Sequence, residues 1–362
     1  MNSWSATGAA GGAFKRCHVI NLCLMTTAPL SSGSPLGQET DVSCIDSSLR
    51  ALWAGNEALT KASLINFAVY AESPGSLEAN TSLIQAVTRD HACRAILIAA
   101  HPSEDEPQLK AWITAHCQLS GAGGKSVCSE QIAFELSGHL RDALRNVVFA
   151  HLESDLPLVF FWQGDFSPRW EPHLYRRIDR LVIDSTTWSD PAVQLERLRT
   201  AWRDSGSHFV VLDVAWMRIF PFRQALAGAF DTALAKTSLC RLNALRITHG
   251  PGHRSTAALF ASWIAYKAGW SLQPDERVFV EDGSVPLSRL ELTGPGGCRI
   301  QVVREEGAQF LHVHVQVDAE EITQVSPLGT DDLATLVSER LSRGGNTPLY
   351  FKLWRQVTGW GE

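Results

Sequence analysis

A chain of 362 residues, 45% hydrophobic and 19% charged, is long and apolar enough to bury a sizeable core without staples, which excludes a mainly disordered chain. A formal net charge of −6 argues against a nucleic-acid binder, which needs clustered basic charge, and no run approaches the ~20 apolar residues of a membrane span. Eight irregularly spaced cysteines, with no CxxC pair, read as reduced thiols in a cytoplasm, and twelve tryptophans against four tyrosines put some indole rings at domain or partner surfaces.

Lys15-Arg16 ahead of the apolar run Cys17 to Met25 has the outline of a signal peptide, but His18 and Asn21 interrupt it and no small-residue cleavage site follows. Met25 is a second candidate start. Ser31 to Gln38 is rich in Ser, Gly and Pro, so residues 1–45 read as a flexible tail. Order is expected from Asp46, which can cap a helix carrying Leu49, Leu52 and Trp53. Leu64 to Tyr70 and Arg94 to Ala100 are short apolar runs, read as buried strands, with a helix over Ser76 to Val87 between them. Trp112 to Leu119 and Val127 to Leu136 read as strands joined by Gly121 to Gly124, and a helix is expected from His139 to Leu152.

Three further apolar runs, Leu158 to Trp162, Arg180 to Asp184 and Phe209 to Asp213, alternate with helical patterns at Ala192 to Arg203 and Arg223 to Leu234. That rhythm predicts an α/β fold with a mixed, largely parallel sheet flanked by helices. After a strand at Leu242 to Thr248 and a helix at Ser255 to Ala268, the texture changes. Val278 to Val280, Arg299 to Val303 and Phe310 to Val317 read as alternating strands, followed by helices at Asp331 to Leu341 and Pro348 to Gln356. The expected organisation is an α/β domain over 46–270, in halves of about 46–152 and 153–270, then a smaller α+β domain over 271–362, with the boundary near Trp270 to Asp275.

Few motifs carry chemistry. Gly121 to Ser126 resembles the end of a phosphate-binding loop, but Leu119 stands where a glycine is needed and a strand follows, so a lysine-containing hairpin is the better reading. No GxGxxG follows a strand and no GxSxG is present, so neither a dinucleotide cofactor nor a hydrolase elbow is indicated. His312 and His314 share one strand face with no third metal ligand nearby, which reads as a solvated face. Gly250, Gly252, Arg254 and Ser255 precede or open a helix and form a candidate anion site, with a plain capped connection as the alternative. A sugar-phosphate enzyme or sensor built on Gly250 to Thr256 follows as the rival function, and a redox adaptor as a third. Asp184, Ser185 and Asp213 stand at strand ends, where open α/β sheets bind ligands and where polar residues also merely cap turns.

Several segments in order resemble one family, the glucose-6-phosphate dehydrogenase assembly proteins called OpcA. They are Thr88 to Ile98, Cys128 to Ile132, Asp155 to Trp162, Asp179 to Ser185, and the most specific, Asp213-Val-Ala-Trp-Met-Arg-Ile-Phe-Pro-Phe-Arg-Gln224 with Ala225 to Asp231. Asp331 to Trp354 is similar in style, so the resemblance runs from about Asp46 to the C-terminus. Ala92 stands where the family usually has proline and Phe222 where it usually has tryptophan; the long N-terminal tail is not explained by it. The resemblance implies a non-enzymatic cytoplasmic partner, without cofactor, that assembles and allosterically activates glucose-6-phosphate dehydrogenase in the oxidative pentose phosphate pathway. Cyanobacterial relatives add a link to thioredoxin-dependent redox control, which no particular cysteine here can be matched to. Tryptophan and arginine are the usual anchors of such interfaces. Trp162, Trp216, Arg218, Phe222 and Arg223 are therefore the candidate partner contacts, with Asp184 and Ser185 beside them and Phe220 in the same segment. The competing reading makes Trp162 and Trp216 core rings.

Overall fold

The computed structural model describes residues 34–54, 59–101, 106–119, 126–138, 144–271, 276–341 and 344–358. Among them, nine strands build the first sheet: β1 Gln38–Thr40, β2 Leu59–Lys61, β3 Ile65–Ala71, β4 Cys93–His101, β5 Leu109–Leu119, β6 Ser126–Ser137, β7 Leu158–Trp162, β8 Arg180–Ile183 and β9 Val210–Asp213. Their order is β1-β5-β6-β4-β3-β7-β8-β9, with β2 added alongside β6. Only the β1–β5 and β5–β6 pairs are antiparallel; the rest are parallel. The first helices are α1 Ile45–Trp53, α2 Ser76–Val87, α3 Leu144–Ala150, α4 Pro172–Tyr175 and α5 Pro191–Asp204. The continuous apolar runs have the physical reason expected of them: Phe67 and Val69 enter the core layer beneath α2, while Ala68 and Tyr70 enter the opposite layer. The fold is mixed α/β, as its sequence rhythm predicts.

Three short helices cross to the second sheet: α6 Val214–Arg218, α7 Phe220–Ala229 and α8 Ala233–Ser238. The expected single helix from Arg223 to Leu234 is thus divided. Pro221 suits the first turn of α7, and Thr232 caps α8 by accepting from the Ala235 N–H. The second sheet has six strands: β10 Ala244–His249, β11 Arg277–Glu281, β12 Leu287–Gly294, β13 Cys298–Arg304, β14 Phe310–Val317 and β15 Glu320–Pro327, in the order β11-β10-β12-β13-β14-β15. It is antiparallel except for β10–β11. In β14, Leu311, Val313, Val315 and Val317 point into the core, leaving His312 and His314 on the outer face. Helix α9, Arg254–Ala268, lies between the sheets, and α10, Leu333–Leu341, and α11, Thr347–Thr358, return to the first sheet.

That return seals the edge of the first sheet. The backbone N–H of Val211 on edge strand β9 donates to Thr347 Oγ1 at 3.0 Å. A Cβ at Gly345 would sit 2.6 Å from Val210 Cγ1, so only glycine allows the chain to pass this close. Edge groups that would invite another strand are thereby covered.

Four expectations need correction. Leu36 is buried and β1 pairs with β5, so residues 36–45 are anchored rather than a free tail. Strand Ala244–His249 belongs to the second sheet, so the sheets part between Asp213 and Ala244, well before Trp270. The sequence pattern marks no strand at β12 or β15, because polar side chains fill their outward positions. The thiols are not all free: Cys117 and Cys128 face each other across β5 and β6 and form a disulfide, with Cα atoms 4.0 Å apart. The strand register creates that pair, and sequence spacing carries no trace of it. The Gly121–Lys125 connection and the start of the expected helix at His139 lie outside the described residues.

The disulfide gives a direct expectation. In the unfolded, unreduced chain, Cys117 and Cys128 should escape alkylation and react only after reductant. Releasing a loop with a sequence separation of 11 should lower stability by about 3 kcal/mol. Equal alkylation before and after reductant, with no loss of stability, would mean that the two sulfurs are thiols in solution.

Candidate functional site

Strands β8 and β9 end side by side, and an aspartate stands at the end of each. Asp184 accepts from the Thr186 N–H at 3.1 Å and from its hydroxyl at 2.6 Å, closing the turn after β8. Its two oxygens also receive the Arg218 guanidinium, at 3.0 Å to Oδ1 and 2.9 Å to Oδ2, with side chains only 12% and 11% exposed. Asp213 caps α6 through the Ala215 N–H at 3.0 Å. It also accepts from the Ser185 N–H at 3.0 Å, the Ser185 hydroxyl at 2.7 Å and the Tyr350 hydroxyl at 2.9 Å. Full burial, then the nearby Asp184 charge, raise the Asp213 carboxyl to about 6, although the Ser185 and Tyr350 donors pull the other way. Burial and Asp213 together push the Tyr350 phenol far up.

Ser185 and Asp213 are shut off from solvent, at 0% and 1% exposure. Their groups cap turns and tie α11 to the end of β9, where Asp213 and Tyr350 also border a cavity of about 170 Å³. This is the bland reading of strand-end polar residues, and it is the one the geometry supports. Beside them, burial first and then the Arg218 charge hold the His253 imidazole below its ordinary value. Arg304 pairs with Asp331 at 2.6 Å on the neighbouring wall.

The partner candidates separate into two groups. Trp162 is a core ring, its centre 4.3 Å from that of Tyr70, and it donates its indole N–H to the Asp165 carbonyl at 2.9 Å. Phe222 is 2% exposed and packs edge-on to Phe260. Trp162, Ser185 and Phe222 therefore cannot be surface anchors, because their strand-end or helix positions face inward. Asp184 and Arg218 satisfy each other. What stays accessible is a patch on α6 and α7: half-buried Trp216, Phe220 at 36% exposure, and Arg223, whose guanidinium lies 3.7 Å from the centre of the Trp216 ring. Arg223 does not take up Asp184 as an ion-pair partner; Arg218 holds that place.

The Gly250–Ser255 segment opens α9, one residue earlier than expected. Gly250 is needed because a Cβ there would lie 2.6 Å from the Val285 carbonyl oxygen, and Gly252 takes a left-handed φ of 75°. The His253 side chain at the start of α9 does not cap it, and Arg254 lies 5.5 Å from the centre of the Phe279 ring. Among the described residues no group of three or more His, Cys, Asp or Glu is placed to hold a metal, and no helix is long and apolar enough to cross a membrane. Sequence reasoning missed Tyr350, Thr347 and Arg340, which reach this region from far along the chain, Tyr350 from 137 residues beyond Asp213. No local signal could have placed them.

Two family profiles match in tandem: the glucose-6-phosphate dehydrogenase subunit N-terminal domain over residues 84–200, and its C-terminal domain over residues 210–354. The chain belongs to the OpcA family. Relatives in that family include a putative OxPP cycle protein OpcA of Synechocystis sp., 22% identical over 196 residues, covering 53% of this chain and 40% of that one. A second protein of the same description, from Synechococcus elongatus, is 21% identical over 306 residues, covering 74% of this chain and 67% of that one. The chain thus matches less than half of the first relative's length. An aldose-aldose oxidoreductase from Caulobacter crescentus overlaps 82% of this chain and 97% of its own at a TM-score of 0.42 and 10% identity, too loose a likeness to bear on function. In this OpcA chain the two profiles meet inside the first sheet. The first ends within α5 and the second begins at β9, so the edge strand carrying Asp213 travels with the C-terminal part.

Proposed function

We propose that this chain is a non-catalytic partner of glucose-6-phosphate dehydrogenase that promotes its assembly and raises its activity in the oxidative pentose phosphate pathway. The observation that carries the reading is the pair of family profiles, which together run from residue 84 to residue 354. The burial of Ser185, Asp213 and Tyr350 supports it, since the strand ends where an α/β enzyme would place its chemistry are filled with structural contacts. The docking patch of this proposal is Trp216, Phe220 and Arg223, an aromatic and arginine group of the hot-spot type. Activation follows by population shift. A partner that binds the more active form of the dehydrogenase more tightly displaces the balance by its differential affinity, and substrate favouring that form tightens the partner's binding equally.

Mixing purified chain with its cognate dehydrogenase and following NADP reduction tests the proposal. The chain alone should reduce no NADP, and the mixture should show a lower apparent KM or a higher kcat. Turnover by the chain alone, or unchanged kinetics in the mixture, would overturn it.

A further inference from the structure

We propose that the cleft between the start of α2 and the end of β4 binds a ribonucleoside, free or as one end of a nucleotide. The cavity measures about 190 Å³, and its walls include Gly75, Ser76, Glu78, His101, Trp112 and Glu135. None of these belongs to the α6–α7 docking patch, and the site stands independently of the dehydrogenase-partner reading.

Topology sets the position. The mutually parallel strands of the first sheet run β6-β4-β3-β7-β8-β9. Counted in chain order from β3, that is the 3-2-1-4-5-6 order of a doubly wound nucleotide-binding sheet, and α2 is its first crossover helix. In such sheets the ligand lies outside the carboxyl ends of the strands, beside the start of that helix, with an acidic side chain on a ribose hydroxyl. The cavity occupies that edge. His101 is the last residue of β4, and Glu135 on β6 stands opposite Ala99, near the same strand end. The turn after β3 reads Glu72-Ser-Pro-Gly75-Ser76 rather than a glycine fingerprint, so no local motif marks the site.

The groups present suit a sugar diol carrying a flat ring. Gly75 opens α2 with a left-handed φ of 70°, and no side chain caps the helix, which leaves its first N–H donors to other acceptors. Ser76 is only 7% exposed and lines the cavity, yet its hydroxyl has no partner among the described residues. A buried hydroxyl left unpaired is unfavourable, and a ligand hydroxyl would relieve it. Glu135 accepts from His101 Nε2 at 3.1 Å and pairs with Lys110 Nζ at 3.5 Å. A carboxylate has about four acceptor sites, so Glu135 keeps capacity for ribose hydroxyls. Half-buried Trp112 adds an aromatic wall for the base. Size and charge narrow the ligand further. The cavity is smaller than the ~300 Å³ at which pockets for larger cofactors begin. Towards β7, Asn80 on α2 and Gln163 exchange hydrogen bonds of 3.0 and 2.8 Å, so side chains bridge the place where the second half of a dinucleotide would continue. Glu78 and Glu135 both carry negative charge on the wall, which favours a neutral diol over free phosphate.

Calorimetry on the full chain tests the site with adenosine, deoxyadenosine, adenosine monophosphate, inorganic phosphate and a neutral hexose as probes. Wild type should bind adenosine and gain melting temperature with it, and should bind adenosine monophosphate no more tightly. Deoxyadenosine, which lacks one hydroxyl of the diol, should bind about tenfold more weakly, because the lost hydrogen bond is to a charged group. Glu135→Gln should lose about tenfold in affinity for adenosine and Ser76→Ala about fivefold, while the remote Arg254→Gln should bind as wild type does. Ser76→Ala removes only an unpaired hydroxyl and should fold as wild type does, so it decides the matter if Glu135→Gln does not fold. No binding of adenosine by wild type, equal binding of deoxyadenosine, or undiminished binding by the cleft variants would overturn the proposal. So would a hexose that binds as tightly as adenosine, or binding confined to the phosphorylated probes, since the group recognised would then be a different one.

Discussion

Arg218→Ala should unfold the chain more readily before it disturbs any docking surface. The guanidinium meets both oxygens of Asp184 at 2.9–3.0 Å, and both side chains are nearly nine-tenths buried. Removing one member leaves the Asp184 carboxylate in a dry setting with only the Thr186 donors, and breaking such a pair costs about 3–5 kcal/mol. A family-based reading of Arg218 as a partner contact expects the opposite, a stable variant that binds poorly. Urea unfolding of the parent and variant distinguishes them. A variant within about 1 kcal/mol of the parent would mean that solvent screens the pair and that Arg218 is available to a partner after all.

The second large effect is on pH dependence and belongs to Asp213. Its carboxyl titrates near 3.8 in the unfolded chain and at about 6 in the folded one, raised by burial first and by the Asp184 charge second. A raised acid binds its proton more tightly in the folded state. Its contribution is therefore fully present below pH 3.8 and is lost as pH rises through about 6. Each tenfold gain in proton affinity on folding is worth about 1.4 kcal/mol, so the loss between pH 4 and pH 7 is about 2 kcal/mol. Asp213→Asn cannot titrate, so its stability should fall less than the parent's over that range. Parallel stability curves for the two chains at pH 4, 5.5 and 7 would show that the folded carboxyl keeps its ordinary affinity for protons.

The central strands of the first sheet were legible because they are buried on both faces, whereas the short, poorly buried β1 and β2 carry no such run and were not. Runs such as Leu158 to Trp162 have no polar position, and the helix from Ser76 to Val87 is bounded by Gly75 and Thr88, so local chemistry alone marks them. The second sheet was half legible. Strand β14 alternates cleanly, whereas β15 shows Glu, Thr, Gln and Ser at most positions and only its pairing with β14 makes it a strand. The candidate site was legible in composition and not in orientation. The segment Trp216 to Arg223 stands out in the sequence for its aromatic and arginine content, but whether an aromatic there faces core or solvent depends on how α7 lies against α9, which no nearby residue encodes. Hence Phe222 packs on Phe260 while Phe220, two residues earlier, is at the surface. The Cys117–Cys128 bond and the Asp213–Tyr350 contact are hidden for the same reason: each is a property of register or of a return of the chain across 137 residues, and sequence spacing is silent about both.

Sedimentation of purified cognate glucose-6-phosphate dehydrogenase, alone and with a molar excess of this chain, tests most directly whether the chain is an assembly partner. The account expects a new, faster species that contains both proteins and grows at the expense of the free enzyme. Two independent boundaries, each at the position of the protein measured alone, would contradict it.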